Sequence, residues 1–343
     1  MKSILIIANA RRSGGLSGSD NIYLNLAKHS PPQVLIWDMM NIEFSPFAVC
    51  YIYRVLVSIW YALKCKQSHN MVYSASDFWM DSIPAVILKW RGKTKKWVAG
   101  YYLFAPRENK MYYYSQKLSY WLIKKYADIV CITNDTMKHA FKDKRTISVN
   151  GGIDLSLCVT KKDRLRIYDA VFCGRIHPTK GIDDLIDIWA KVIDKKPEAT
   201  MALIGDGDLG TDYIRGLMYK HKMVNQGGIT LFGFQDDDRY EIYKSSKVVL
   251  YPAKTHFSMA PIEAMACGCP MITYISKTMN HMKPAGTMFA ADNDSFAKHI
   301  LNLLRLEKEF YYYDKQQQAI AYANTWDWEK NAKRIWDELQ VKI

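Results

Sequence analysis

YPAKTHFSMAPIEAMACGCP, Tyr251 to Pro270, follows the apolar run Val248-Val249-Leu250 and closes on Gly268 and Pro270, which is how a strand–loop–helix unit is punctuated. Glu263 stands where the small residues Ala264, Met265 and Ala266 begin the helix. A carboxylate buried in so apolar a segment is costly unless something hydrogen-bonds to it. A hydroxyl-rich ligand such as a ribose supplies such partners, and solvent supplies them if the side chain is exposed. Residues 256–260 lead into the helix through a tight loop, so their backbone N–H groups can face an anion.

Working outward, this unit is one of a series. Short apolar runs at Ala170–Cys173, Met201–Ile204, Ile229–Phe232, Val248–Tyr251, Met271–Tyr274 and Thr287–Phe289 alternate with helical patterns. An earlier series does the same, at Ile4–Ala8, Val34–Trp37, Met71–Ser74, Trp97–Ala99, Ile129–Ile132 and Ile147–Val149. Such alternation predicts parallel sheets wrapped by helices. The chain has 343 residues, about twice a typical domain. The pattern breaks over Asn150–Asp169, so two Rossmann-like domains facing a central cleft are expected. They span residues 1–160 and 161–323, with a terminal helical segment at 324–343. There, Trp328, Ala332, Ile335, Trp336 and Leu339 fall on one face.

Charge is unevenly shared. Residues 1–150 hold 21 Lys and Arg against 9 Asp and Glu, whereas the remainder holds 26 against 25, so nearly all of the net +13 sits on the first half. That field suits anionic partners: membrane lipids, phosphorylated acceptors or nucleic acid. RGKTKKW, Arg91 to Trp97, reads as a basic turn. MYYYSQKLSYWLIKKY, Met111 to Tyr126, mixes Tyr and Trp with Lys, which suits a membrane interface, a stacked nucleic acid or a plain amphipathic helix. Phe47–Leu63 is the longest apolar run. Arg54 and Ser58 interrupt it and it falls short of the ~20 residues of a bilayer span, so a buried or interfacial helix is expected. Seven scattered cysteines without CxxC spacing favour reduced thiols and a cytoplasmic setting, with Cys267 and Cys269 as small buried side chains. Met1-Lys2-Ser3 runs straight into a strand, which does not read as a secretory signal.

Three further loops bear on chemistry. FCGRIHPTKGIDDLIDIW places Gly174 and Arg175 at a strand end and Lys180 at a helix start. Carboxyl ends of parallel strands are where such sheets bind ligands. Two cations converging there match a diphosphate, the guanidinium bidentately and the ammonium as a point charge, although either one alone reads equally as a solvated surface cation. LIGDGDLG, Leu203 to Gly210, is a second strand-end glycine loop. In the first half, NARRSGGLSGSDN carries Gly14, Gly15 and Gly18, with Asp20 as the expected helix cap. Asp236-Asp237-Asp238 reads as helix-cap and dipole residues rather than a metal site. No His/Asp/Glu cluster has metal-ligand spacing, and no motif marks a covalent nucleophile.

These residues together resemble the retaining, nucleotide-sugar-dependent glycosyltransferases of the GT-B fold, family four (glycosyl transferases group 1). The resemblance runs from SGGLSGSDNIYLNLA through ADIVCITN and VNGGID to FCGRIHPTKGIDDLI, LIGDGD, LFGF and VVLYPAKTHFSMAPIEAMACGCPMI, and the closing WDWEKNAKRIWDEL resembles the family's last helix, which implies a C-terminal helix, within 324–343, crossing back onto the first domain. It implies that Arg175 and Lys180 hold the donor diphosphate and that Glu263 accepts the ribose hydroxyls. The amides of Phe257, Ser258, Met259 and Ala260 cradle the distal phosphate, and Phe234 lies near the base. Gly14 and Gly15 close from the first domain, with Gly174 and Gly205 also lining the donor site. It implies no metal and no cofactor beyond the nucleotide diphosphate sugar, because cations and helix ends neutralise the leaving group. The resemblance implies that donor as partner; the charge of residues 1–150 and the Met111–Tyr126 segment point to a lipid-linked or glycan acceptor, on a protein peripheral to the inner face of the membrane through its basic first domain. A nucleic-acid acceptor is the second choice, and a non-catalytic nucleotide-sugar-binding protein the third. The family usually has a Glu where this chain has Thr255, followed by His256; that Glu orients the donor sugar. The first domain has Gly100-Tyr101-Tyr102 where the family often has a His, so no catalytic base is assigned.

Overall fold

The computed structural model describes residues 3–11, 18–30, 34–105, 107–108, 110–133, 136–149, 151–160, 164–207, 209–223, 228–254, 258–276, 284–305 and 310–340. Two compact units emerge, Met1–Gly151 with Trp328–Ile343, and Gly152–Asp327. Each is built on a six-stranded sheet in which every pairing is parallel.

In the first unit the strands are β1 (Ile4–Ala8), β2 (Val34–Asp38), β3 (His69–Ser74), β4 (Thr94–Gly100), β5 (Ile129–Ile132) and β6 (Arg145–Ser148), in the order β2-β1-β3-β4-β5-β6. The crossovers are α1 (Gly18–Lys28), α2 (Phe47–Lys64), α3 (Trp79–Trp90), α4 (Lys110–Tyr126) and α5 (Thr136–Ala140). Parallel neighbours need such crossovers. Alternate side chains of β1 serve two cores. Ile4 and Ile6 pack with α1 and the chain's last helix, Trp328–Glu338; Leu5 and Ile7 pack with α2, α3, α4 and α5. Trp328, Ala332, Ile335, Trp336 and Leu339 are all buried in the first of these cores, so the final helix completes the unit that the first 151 residues begin.

Several expectations need correction. Thr94 to Trp97 belongs to β4, not to a turn, because Thr94 and Trp97 are buried in the unit; only Arg91–Lys93 form the turn. Asp20 lies inside the first turn of α1 and is buried, not at the cap. The first unit does not run on to residue 160 but gives way to the second after Gly151. Ile153 and Cys158 are buried in the core of the second unit, and Arg164 and Arg166 tie the charged segment down on Glu241 (2.7 Å) and the Cys267 carbonyl (3.0 Å). The chain enters and leaves this unit side by side, through a parallel bridge between Ile153 and Asp327. The second unit is thus inserted within the first.

Its strands are β7 (Tyr168–Cys173), β8 (Met201–Ile204), β9 (Ile229–Gly233), β10 (Ser246–Tyr251), β11 (Met271–Tyr274) and β12 (Thr287–Ala290), in the order β12-β11-β10-β7-β8-β9. Helices α6 (Leu155–Cys158), α7 (Ile182–Lys195), α8 (Gly210–Lys220), α9 (Arg239–Lys244) and α10 (Ala260–Ala266), with Asn293–Arg305 and Phe310–Ala323, cover its faces. In α7, Ile182, Leu185, Ile186, Ile188, Trp189, Val192 and Ile193 are buried, which is the inward stripe of an amphipathic helix. All seven cysteines are free; Cys267 and Cys269 are buried.

One buried carboxyl gives the first unit a pH dependence. Asp81, in the first turn of α3, is fully buried and accepts hydrogen bonds from Ser76 Oγ and from the Ala10 amide (3.2 Å). Burial dominates these contacts and pushes its pKa up to about 8. A carboxyl whose folded pKa lies above its unfolded value contributes stability below the unfolded pKa, near 4, and loses it as pH rises through the folded one. Stability is therefore expected to fall between pH ~4 and ~8. Asp81→Asn should flatten that slope in urea melts taken across this range, and an unaltered slope would contradict the assignment.

Candidate functional site

In the second unit the strand order reverses between β7 and β10: from β7 the chain steps outward to β8 and β9, and from β10 it steps the other way to β11 and β12. At such a reversal the carboxyl ends of an open parallel sheet leave a crevice. Gly174 and Arg175 leave β7 there, and Pro252 leaves β10. The loops after three strands are laced together by backbone bonds. Gly174 N donates to the Ile204 carbonyl (3.0 Å), Ile176 N to the Asp206 carbonyl (3.0 Å) and Gly205 N to the Gly233 carbonyl (2.8 Å).

Two glycines make this closeness possible. Gly205 has φ +143°, and a Cβ there would lie 1.9 Å from the Gly174 carbonyl oxygen. Gly181 has φ +75°, and a Cβ there would lie 2.4 Å from the Pro252 carbonyl oxygen. Gly181 follows the 3-10 turn Pro178–Lys180, capped by His177, whose Nδ1 accepts from the Thr179 amide (3.2 Å). This turn therefore presses on the end of β10 and carries Lys180 to the reversal point. Gly205→Ala should destabilise the fold by about 3 kcal/mol, combining overpacking with backbone strain. Equilibrium urea unfolding checks this, and an unchanged midpoint would contradict it.

The electrostatics are lopsided. A Cβ on Gly174 would sit 4.0 Å from Lys180 Cγ, so the lysine stem passes over that glycine. Lys180 is half-buried and Arg175 exposed. Burial lowers the Lys180 pKa first, and the Arg175 charge lowers it further. Neither side chain forms an ion pair or hydrogen bond among the described residues. Two like charges held near each other without a counter-ion favour an anion with at least two charged oxygens.

Glu263 differs from the sequence expectation. Its carboxylate is not in search of a partner: Arg239 grips both oxygens, Nε to Oε2 at 2.9 Å and Nη2 to Oε1 at 3.1 Å, with the Tyr243 hydroxyl at 3.5 Å. The carboxylate has further acceptor positions. The burial of Glu263 thus does not by itself demand a ligand, although the pair holds the acid in a fixed orientation. Sequence spacing does not reveal Arg239, because its partner lies 24 residues away in the chain. The only signal was its position directly after Asp236-Asp237-Asp238. As expected, Asp238 stands at the N-cap position of α9, although its side chain makes no capping bond; Asp236 and Asp237 lie 3.7 and 3.9 Å from Arg239.

Ser258, Met259 and Ala260 are half-buried at the start of α10, and the Met259 carbonyl accepts from the Glu263 amide (3.0 Å). Phe234 follows β9 at the same end of the sheet and is exposed. Gly14, Gly15, Thr255, His256 and Phe257 lie outside the described residues. Among the described residues no group of three or more His, Cys, Asp or Glu gathers as a metal site. Cavities of about 690 Å³ (between β2 and α2) and about 550 Å³ (beside Asp187 and His221) are lined by none of Arg175, Lys180 and Glu263.

Two parallel six-stranded α/β sheets, the second with this switch-point site, define the GT-B class of fold. Residues 168–306 match the family model described as Glycosyl transferases group 1. The solved structure of HepE from Anabaena, in complex with UDP-glucose, aligns with a TM-score of 0.73 at 16% identity, covering 99% of this chain and 100% of that one. Sucrose-phosphate synthase from Thermosynechococcus elongatus aligns with a TM-score of 0.71 at 17% identity, covering 99% and 98%. At such identities the likeness is one of fold. The D-inositol 3-phosphate glycosyltransferase of Rhodococcus jostii is 32% identical over 107 residues, 29% of this chain and 24% of that protein. The match thus spans about a quarter of that relative's length.

Proposed function

We propose that the protein is a glycosyltransferase that takes a sugar from a nucleotide diphosphate sugar and passes it to an acceptor bound by the basic first unit. The observation that carries this reading is the pair Arg175 and Lys180, without a counter-ion among the described residues, at the β7/β10 switch point, where departing diphosphate charge would be neutralised. In this reading Glu263, oriented by Arg239, accepts the ribose hydroxyls with its remaining lone pairs. With the charge met by side chains, the transfer needs no metal ion. It proceeds with retention: the acceptor hydroxyl attacks the face that the diphosphate leaves, its proton goes to the departing phosphate oxygen, and the glycosidic C–O bond forms as the C–O bond to phosphate breaks. The acceptor is lipid-linked or glycan, in keeping with the positive excess of residues 1–150.

The experiment is a donor screen by thermal shift and turnover with UDP-, GDP-, ADP- and TDP-sugars, beginning with UDP-glucose, the ligand of the HepE complex. One donor should stabilise the protein and be consumed in the presence of a chelator. A metal requirement would overturn the neutralisation argument, and an inverted product the retaining one. Thr255 in place of the usual Glu favours a second reading, a nucleotide-sugar-binding protein without turnover. If neither the natural protein nor Thr255→Glu consumes any donor while both bind nucleotide, that second reading holds.

A further inference from the structure

α2 is amphipathic with the wrong side out. Its inward residues are Cys50, Arg54, Val55, Ser58 and Ala62, whereas Val49, Ile52, Tyr53, Leu56, Trp60 and Leu63 form a stripe along the outer face. Ile52 is 58% exposed and Leu56 61%, in a helix whose ordinary counterpart turns its apolar stripe to the core. A contiguous exposed apolar stripe marks a surface that meets something.

Arg54 explains why the helix is held this way. Nε donates to the Ile42 carbonyl (2.7 Å), Nη2 to that of Met39 (2.7 Å), and Nη1 to those of Arg11 (2.9 Å) and Asn9 (3.3 Å). Contrary to the expectation from the run Phe47–Leu63, the helix, one residue longer, is long and apolar enough by length and composition to cross a bilayer, with a mean hydropathy of 1.3 over 18 residues. Arg54 and its carbonyl partners instead tie its inner side to the unit, so it can lie in an interface and not cross it.

The surroundings select the occupant. α3 packs against both α2 and α4 on the same face of the sheet. α4 presents Tyr114, Leu118 and Trp121 outward with Lys117 and Lys125, whose ammonium groups sit 5.2 Å from the Tyr114 ring and 5.0 Å from the Trp121 ring. The three helices contain a single carboxylate, Asp81, and it is fully buried. An apolar stripe beside aromatic rings and lysines, on helices without an exposed carboxylate, matches the interfacial zone of an anionic bilayer: apolar groups reach the acyl boundary, rings the headgroup level, lysines the phosphates. We propose that the outer surface of α2 and α4 seats the first unit on an anionic membrane. This inference does not rest on the donor chemistry, and its test involves no nucleotide.

The intact protein is floated with phosphatidylcholine vesicles with and without phosphatidylglycerol. It should rise with the anionic vesicles, less so as salt increases. Ile52→Glu/Leu56→Glu should weaken that binding roughly tenfold or more with unaltered circular dichroism, since both positions are exposed. Lys117→Glu/Lys125→Glu should weaken the anionic-vesicle binding and remove its salt dependence. Absence of flotation with either vesicle, or full binding by the α2 variant, would overturn the proposal. So would a dimer in sedimentation velocity that the α2 variant converts to monomer without a change in vesicle binding, since a second copy would then be the occupant.

Discussion

Nucleoside diphosphate affinity should fall by about 2 kcal/mol, roughly 30-fold, on Arg175→Ala and by a similar amount on Lys180→Ala. Each change removes one charge-assisted contact to phosphate oxygens, and neither strands a counter-ion, because neither cation has one among the described residues. The folded state should therefore survive both. Lys180→Ala also removes the burial of a charge and the weaker Arg175 repulsion that together lower the Lys180 pKa, so the unliganded protein should not lose stability through electrostatics. The double variant should lose up to about 4 kcal/mol, less if the two cations share one phosphate and so couple. Calorimetric titration with UDP and the other nucleoside diphosphates reads this directly. Unchanged affinity in both single variants would contradict the site.

Trp336→Ala should cost about 3–5 kcal/mol, the scale for emptying a buried aromatic site. Trp336 is 1% exposed, and its indole Nε1 donates to the Leu26 carbonyl (3.0 Å) at the end of α1. Loss of the ring leaves a cavity among Ile4, Ile6, Tyr23 and Leu26 and strips that carbonyl of its donor. The damage should fall on the first unit, although the residue lies near the end of the chain. Hydrogen exchange should show protection lost in β1 and α1 while β7 and β10 keep theirs. Equal loss in both units would mean that they do not unfold separately.

The sequence shows the sheets plainly because a strand buried on both faces is a short apolar run, and Ile4–Ala8 or Met201–Ile204 cannot easily be anything else. The Gly174–Lys180 loop is legible for a different reason: two cations bracketed by glycines at a strand end is a local pattern with a chemical meaning. Arg239 is not local. Its role depends on Glu263 arriving from another loop, and no spacing rule connects the two. The boundary near residue 151 is hidden because composition reports charge, and Arg164 and Arg166 are charged residues that bind within the unit. In α2, periodicity gives the stripe but not the direction it faces; that is decided by Arg54 and the four carbonyls it collects from residues 9, 11, 39 and 42.

A crystal structure of the protein with UDP bound tests most directly where the pyrophosphate sits. It should show the two phosphates at the carboxyl ends of β7 and β10, within hydrogen-bond reach of the Arg175 guanidinium and Lys180 Nζ, and the ribose on Glu263 with its Arg239 pair intact. UDP bound elsewhere, or bound there with both cations turned to solvent, would contradict it.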